Sequence, residues 1–208
     1  MSDLFLNYVW LGPLVWAVLY ISDYCFTLTC ARLYQGGARE KMVFEGSYEI
    51  TPFYQKEVDA LRRVSPRFLL MLAISVIWLW WVGQTTAQTS PNFYSFILGA
   101  LILVQLAVHI RHVRNYFLFR AMLTNAVRGR LEYSRPVLLM GSAMELFTFA
   151  VMFAVMAIFT ASPFASGGAA GAGWVGIQHV MLSSKARRAA RVAQYRLPLE
   201  AVTETAAR

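Results

Sequence analysis

Two carboxylates stand inside long apolar runs, where an ionised oxygen is expensive. Asp23 lies in the first run and Glu145 in the fourth. At 1.5 Å of helix rise per residue, Asp23 is about 14 Å from Arg32 and Glu145 about 15 Å from Arg135, so the two acids share a depth in the inner half of a bilayer. A carboxylate placed there must face the protein interior, keep its proton or find a partner. Asp23 belongs to the stripe Trp16, Tyr20, Asp23, Thr27 and Cys30, whose spacing forms one ridge on a helix; Ser142, Glu145 and Phe149 form a comparable ridge.

This pattern suits an ion or proton pathway, or an acid–base pair in a buried cavity. A structural alternative stays open beside it, in which the acids hydrogen-bond Tyr20, Tyr48 or Ser142, or pair with an arginine at the inner surface. The three histidines, His109, His112 and His179, fall at the same end, and Gln105, His109, His112 and Tyr116 follow helical spacing. Imidazoles joined by Asp23 or Glu145 are the donors of a metal site. His109 and His179, on different helices, offer an alternative reading as the axial pair of a b-type haem, for which no specific motif is present. His112, flanked by Arg111 and close to Arg114, also reads as an interfacial base. No Walker loop, GxGxxG, HExxH, GxSxG or CxxC pattern signals a reaction class, so catalytic residues and cofactors stay unassigned. Cys25 and Cys30 are about 140° apart around one helix and cannot pair with each other.

The elements that hold these residues follow from the apolar runs. A run near 20 residues matches a hydrocarbon core of about 30 Å. Spans are expected at residues 6–33, 68–86, 93–110, 136–160 and 164–184, the last weakened by Gly167, Gly168, Gly171, Gly173 and Gly176. Gly168, Ala172 and Gly176 make a small-residue face for close helix packing. The loop 34–67 mixes acids, bases and aromatics. Thr51-Pro52 reads as a helix start, which predicts an interfacial helix over residues 52–64 with an Asp59–Arg63 pair. The third helix is expected to run on to near Arg128, since no breaker precedes Gly129. A basic tail occupies residues 185–208. The expected fold class is all-α: one polytopic membrane bundle over residues 1–208, about five transmembrane helices with a cytoplasmic interfacial helix.

Composition agrees. The chain has 208 residues, 58% of them hydrophobic and 14% charged. Its mean hydropathy of +0.48 is too high for an ordinary soluble domain. Its charge of +8 does not mark a nucleic-acid partner, because the 19 bases gather in blocks beside the ends of apolar runs. No Lys or Arg occurs in residues 83–93 or 161–173. That is the positive-inside pattern. It predicts a multi-pass protein of the cytoplasmic membrane with the N-terminus outside and the C-terminus inside. The expected partners are the lipid bilayer and its anionic headgroups, which attract the basic tail or simply anchor it, and a second copy or another membrane protein; the glycine face takes a helix of the same chain, the plainer reading, or of a second copy. The leading functional expectation is binding or permeation of a small solute or ion through a polar cytoplasm-facing cavity of Asp23, Glu145, Tyr20, Gln105, His109 and His179. An accessory or scaffold subunit, and a haem or metal redox protein, are the alternatives.

Overall fold

The computed structural model describes residues 2–206, with side chains from Leu4 to Arg191. It is all-α, with seven helices and one small pair of strands. The helices are α1 (Ser2–Asn7), α2 (Leu11–Gln35), α3 (Gln55–Asp59), α4 (Pro66–Thr86), α5 (Pro91–Leu123), α6 (Arg135–Thr160) and α7 (Pro163–Ala206). Four of them, α2, α4, α5 and α6, are long and apolar enough to cross a membrane.

Helix starts repeat one chemical device. Ser65-Pro66, Ser90-Pro91, Ser134-Arg135-Pro136 and Ser162-Pro163 open α4 to α7. Proline at the first helical positions gives up an amide that no intrahelical carbonyl would receive. The Ser65 hydroxyl accepts from the Phe68 amide at 3.3 Å, and that of Ser162 from the Ala165 amide at 3.3 Å.

The outside of the bundle is apolar. Ile158 and Phe159 are 79% and 85% exposed, and Trp78, Trp80 and Trp81 all face outward on α4. An exterior of this kind suits contact with lipid. Inside, α7 packs along both α5 and α6, while α5 and α6 themselves touch little. Phe164 lies against Gly99, and Gly171 against Ala100 and Val104, so α7 runs parallel to α5. Gly176 faces Phe147, and the Ser183 hydroxyl donates to the Pro136 carbonyl at 2.9 Å, so α7 runs antiparallel to α6 over the same height.

The connecting segments and helix ends differ from expectation. The first run is divided, α1 ending at Asn7 before α2 begins at Leu11. The interfacial helix is only Gln55–Asp59: Thr51 to Tyr54 forms a turn, and Leu61 at φ 50° ends the helical path. Asp59 accepts from the Ser47 hydroxyl at 2.7 Å, a partner other than the expected Arg63. Helix α5 stops at Leu123, where Asn125 turns at φ 59° and Lys41 Nζ donates to the carbonyls of Met122 and Val127. Strands β1 (Met42–Phe44) and β2 (Leu131–Tyr133) pair in parallel, Val43 opposite Glu132, and tie the two polar connections together. Of the expected tail, residues 185–208, residues 185–206 continue α7, and its side chains beyond Arg191 lie outside the described residues.

Candidate functional site

The polar end of the bundle holds two adjoining cavities, of about 330 and 170 Å³. Glu49, Ile50, Arg111 and His112 line both and form the wall between them. The segment after β1 closes the top. Arg135, at the start of α6, reaches back and donates to the carbonyls of Ser47, Glu49 and Ile50, the last at 2.8 Å. Its own amide donates to Glu45 Oε2 at 2.8 Å. Aromatic packing of Tyr34, Phe44, Tyr48, Phe119 and Tyr133 fixes the same segment from the other side.

The smaller cavity gathers α2, α5 and α7. Asp23 Oδ1 lies 2.9 Å from His112 Nε2, within ion-pair distance but out of line for a hydrogen bond. Thr27 Oγ1 stands 3.3 Å from the same nitrogen. The α2 stripe is used along its length: Trp16 Nε1 donates to Ser75 Oγ at 2.9 Å, Tyr20 and Tyr54 share a 2.7 Å hydrogen bond, and Cys30 Sγ lies 3.6 Å from the His112 carbonyl. Asp23 Oδ1, Gln105 Nε2, His112 Nδ1 and His179 Nδ1 are buried with no hydrogen-bond partner among the described residues. All four residues line this cavity.

The larger cavity lies between α5 and α6. Arg111 donates to Ser142 Oγ, and Arg114 pairs with Glu145. Arg111 has no carboxylate within ion-pair distance among the described residues, although it borders both cavities. Burial pushes the Glu49 carboxyl above the usual carboxylate range, against the opposing effects of the Thr51 amide and Arg111. Burial likewise raises the hydroxyls of Tyr48 and Tyr54.

Of the residues singled out from sequence, Tyr20, Asp23, Gln105, His112 and His179 meet around the smaller cavity and Glu145 lines the larger. The two acids do not meet; each has its own basic neighbour. His109 lines neither cavity: its Nδ1 donates to the Gln105 carbonyl at 2.7 Å and its Nε2 bonds Ser22 Oγ. Both of its ring nitrogens are occupied, so the expected haem pair of His109 and His179 is not assembled. Among the described residues no group of three His, Cys, Asp or Glu is arranged to hold a metal. Gly168 and Gly176 face Leu103 and Phe147 of the same chain, and Ala172 is wholly buried, so the small-residue face is covered internally.

Sequence reasoning passed over Arg111, Glu49 and Asn115. The cavity face of α5 is Gln105, Val108, Arg111, His112 and Asn115. At about 100° per residue, His109 is turned roughly 40° away from Gln105 toward α2, whereas Val108 and Asn115 turn the other way. A stripe drawn through 105, 108, 112 and 115 finds that face. No family model, curated protein or solved structure matches the chain.

Proposed function

We propose that this chain is a multi-pass membrane protein that binds a small solute or ion in a polar chamber at the cytoplasmic end of its bundle. One observation carries the reading: four residues of α2, α5 and α7 that line one cavity each hold a buried polar atom with no hydrogen-bond partner among the described residues. Native interiors satisfy nearly all such atoms, because each orphan costs about 1–3 kcal/mol. A carboxylate oxygen, an amide and two imidazole nitrogens offer both acceptors and donors, so a polar solute or hydrated ion satisfies them together.

The arrangement favours binding over open permeation. At the opposite end α5 and α7 meet backbone to backbone at Gly99 and Gly167, which leaves no passage between them. Orientation rests on the bases: Arg32, Arg111, Arg135 and Lys185 all fall at the chamber end, which supports placing it in the cytoplasm. Helix α7 supports a fifth crossing, since its residues 164–183 parallel the full height of α6.

Thermal unfolding of the detergent-purified chain against a panel of small polar solutes and of mono- and divalent cations tests the proposal. A ligand at 100 times its Kd adds about 2.7 kcal/mol. The expected result is a rise in Tm with at least one compound that Gln105→Leu and Asp23→Asn abolish. If no compound acts and Gln105→Leu alone raises Tm, the cavity is a packing fault and the proposal fails.

A further inference from the structure

The larger cavity has a different character from the smaller. Its polar wall is Arg111, His112, Arg114, Asn115 and Ser142; its other wall, which includes Phe44, Leu118, Val137 and Leu138, is apolar. It also reaches the bundle surface between α5 and α6. Gly141 on its rim is exposed, and nothing lies within 4 Å of where a Cβ would stand. Below that gap α6 presents exposed Met144, Val151 and Val155, and α5 presents Leu106 and Ile110.

Arg111 sets the depth and the charge. From Phe93 to Arg111, and from Thr160 back to Ser142, helix rise gives about 27 Å, close to the roughly 30 Å hydrocarbon thickness. The guanidinium and its serine partner therefore stand where one leaflet's phosphates lie. A guanidinium has five N–H donors. Here its one protein acceptor is Ser142 among the described residues. The two acids on the cavity wall are engaged otherwise, Glu145 by Arg114 and Glu49 Oε1 by the Thr51 amide at 2.7 Å. A planar fork of donors beside an open flank fits a phosphate oxyanion.

We propose that this cavity seats the headgroup of one anionic phospholipid of the inner leaflet, its phosphate on Arg111 and its acyl chains against α6 beside Gly141. The inference rests on the membrane-spanning orientation above and not on which solute fills the smaller cavity. A headgroup held there stands against Glu49, Arg111 and His112, the wall that also bounds the smaller cavity.

The test exchanges the purified chain into mixed micelles holding equal parts phosphatidylglycerol and phosphatidylcholine, then counts retained lipid by native mass spectrometry. One phosphatidylglycerol per chain is expected in preference to phosphatidylcholine. Arg111→Gln lowers that retention about tenfold, the loss of a charge-assisted hydrogen-bonded contact. Gly141→Leu lowers it comparably by filling the gap, with thermal unfolding unchanged or raised, and it carries the test if Arg111→Gln does not fold. Equal retention of the two lipids, or full retention in Gly141→Leu, overturns the proposal. Displacement by millimolar inorganic phosphate also overturns it, in favour of a soluble anion. The solute response that Gln105→Leu abolishes persists in Gly141→Leu, which keeps the two readings separable.

Discussion

The two ends of α5 are built by opposite means, the first where it meets α7 and the second where it meets α6. At one end glycines let the backbones touch: a Cβ on Gly99 would stand 1.8 Å from the Phe164 carbonyl oxygen, and one on Gly167 1.9 Å from that of Phe96. At the other end long polar side chains take up the space, and Arg111 and Arg114 bridge from α5 to Ser142 and Glu145 on α6. At the first end the two backbones close on each other; the second encloses cavities lined by residues with orphaned polar atoms. Helix separation, set by side-chain size, thus decides which end of this bundle can do chemistry.

The comparison breaks most violently at the closed end. Gly99→Ala and Gly167→Ala each drive a methyl into a backbone carbonyl that no rotamer change can move, so each costs upwards of about 3 kcal/mol. Loss of monodisperse folded protein, or a large fall in Tm, is the expected outcome. A near-normal Tm for both shows that the helices do not touch as described. Arg135→Ala comes next and acts at the open end. It removes the clamp on the carbonyls of Ser47, Glu49 and Ile50, a loss of about 2 kcal/mol for charge-assisted bonds of this kind. Limited proteolysis should then cut between residues 45 and 54 in the variant, while the helices stay intact.

Legibility in sequence divides along the same line. The long apolar runs and their Ser-Pro starts announce the helices, and the α2 stripe from Trp16 to Cys30 announces its inward face, because both depend on local spacing. Four long helices are apolar enough to span; α7 is not among them, since glycine and alanine dilute the very stretch that packs best. What escapes is whatever depends on partners remote in sequence. Strands of three residues paired across almost ninety positions leave no periodic trace. Arg111 reads as a topology charge until Ser142 is found beside it. His109 and His112 are equivalent by composition, and only the packing of α5 against α2 assigns one to Ser22 and the other to Asp23.

A gentler substitution sharpens the contrast between glycines. Gly141 stands on α6 at the open end with nothing within 4 Å of a prospective Cβ. Gly141→Ala therefore gains helix propensity without a clash, a stabilisation of about 0.5–1 kcal/mol. The same chemical change that is ruinous at Gly99 should raise Tm by a few degrees here. A drop in Tm instead implies that another element occupies the flank between α5 and α6.

The smallest effect is a slope. Burial in the roof of the two cavities raises the Glu49 carboxyl above its usual range; the Thr51 amide and Arg111 act against the shift, and Asp23 adds to it. A carboxyl with a raised folded-state pKa binds its proton more tightly in the folded chain than in the unfolded one. Its contribution is fully present below the ordinary carboxylate pKa and is lost as pH rises through the raised value, so stability at the open end falls over that window. Glu49→Gln keeps the shape and removes the titration. Denaturation of the purified chain, repeated from acidic to neutral pH, should show a downward component in the wild type that the variant lacks. Parallel pH profiles for the two proteins would mean that the Glu49 carboxyl is hydrated, and that the roof held by Arg135 does not seal the chamber against water.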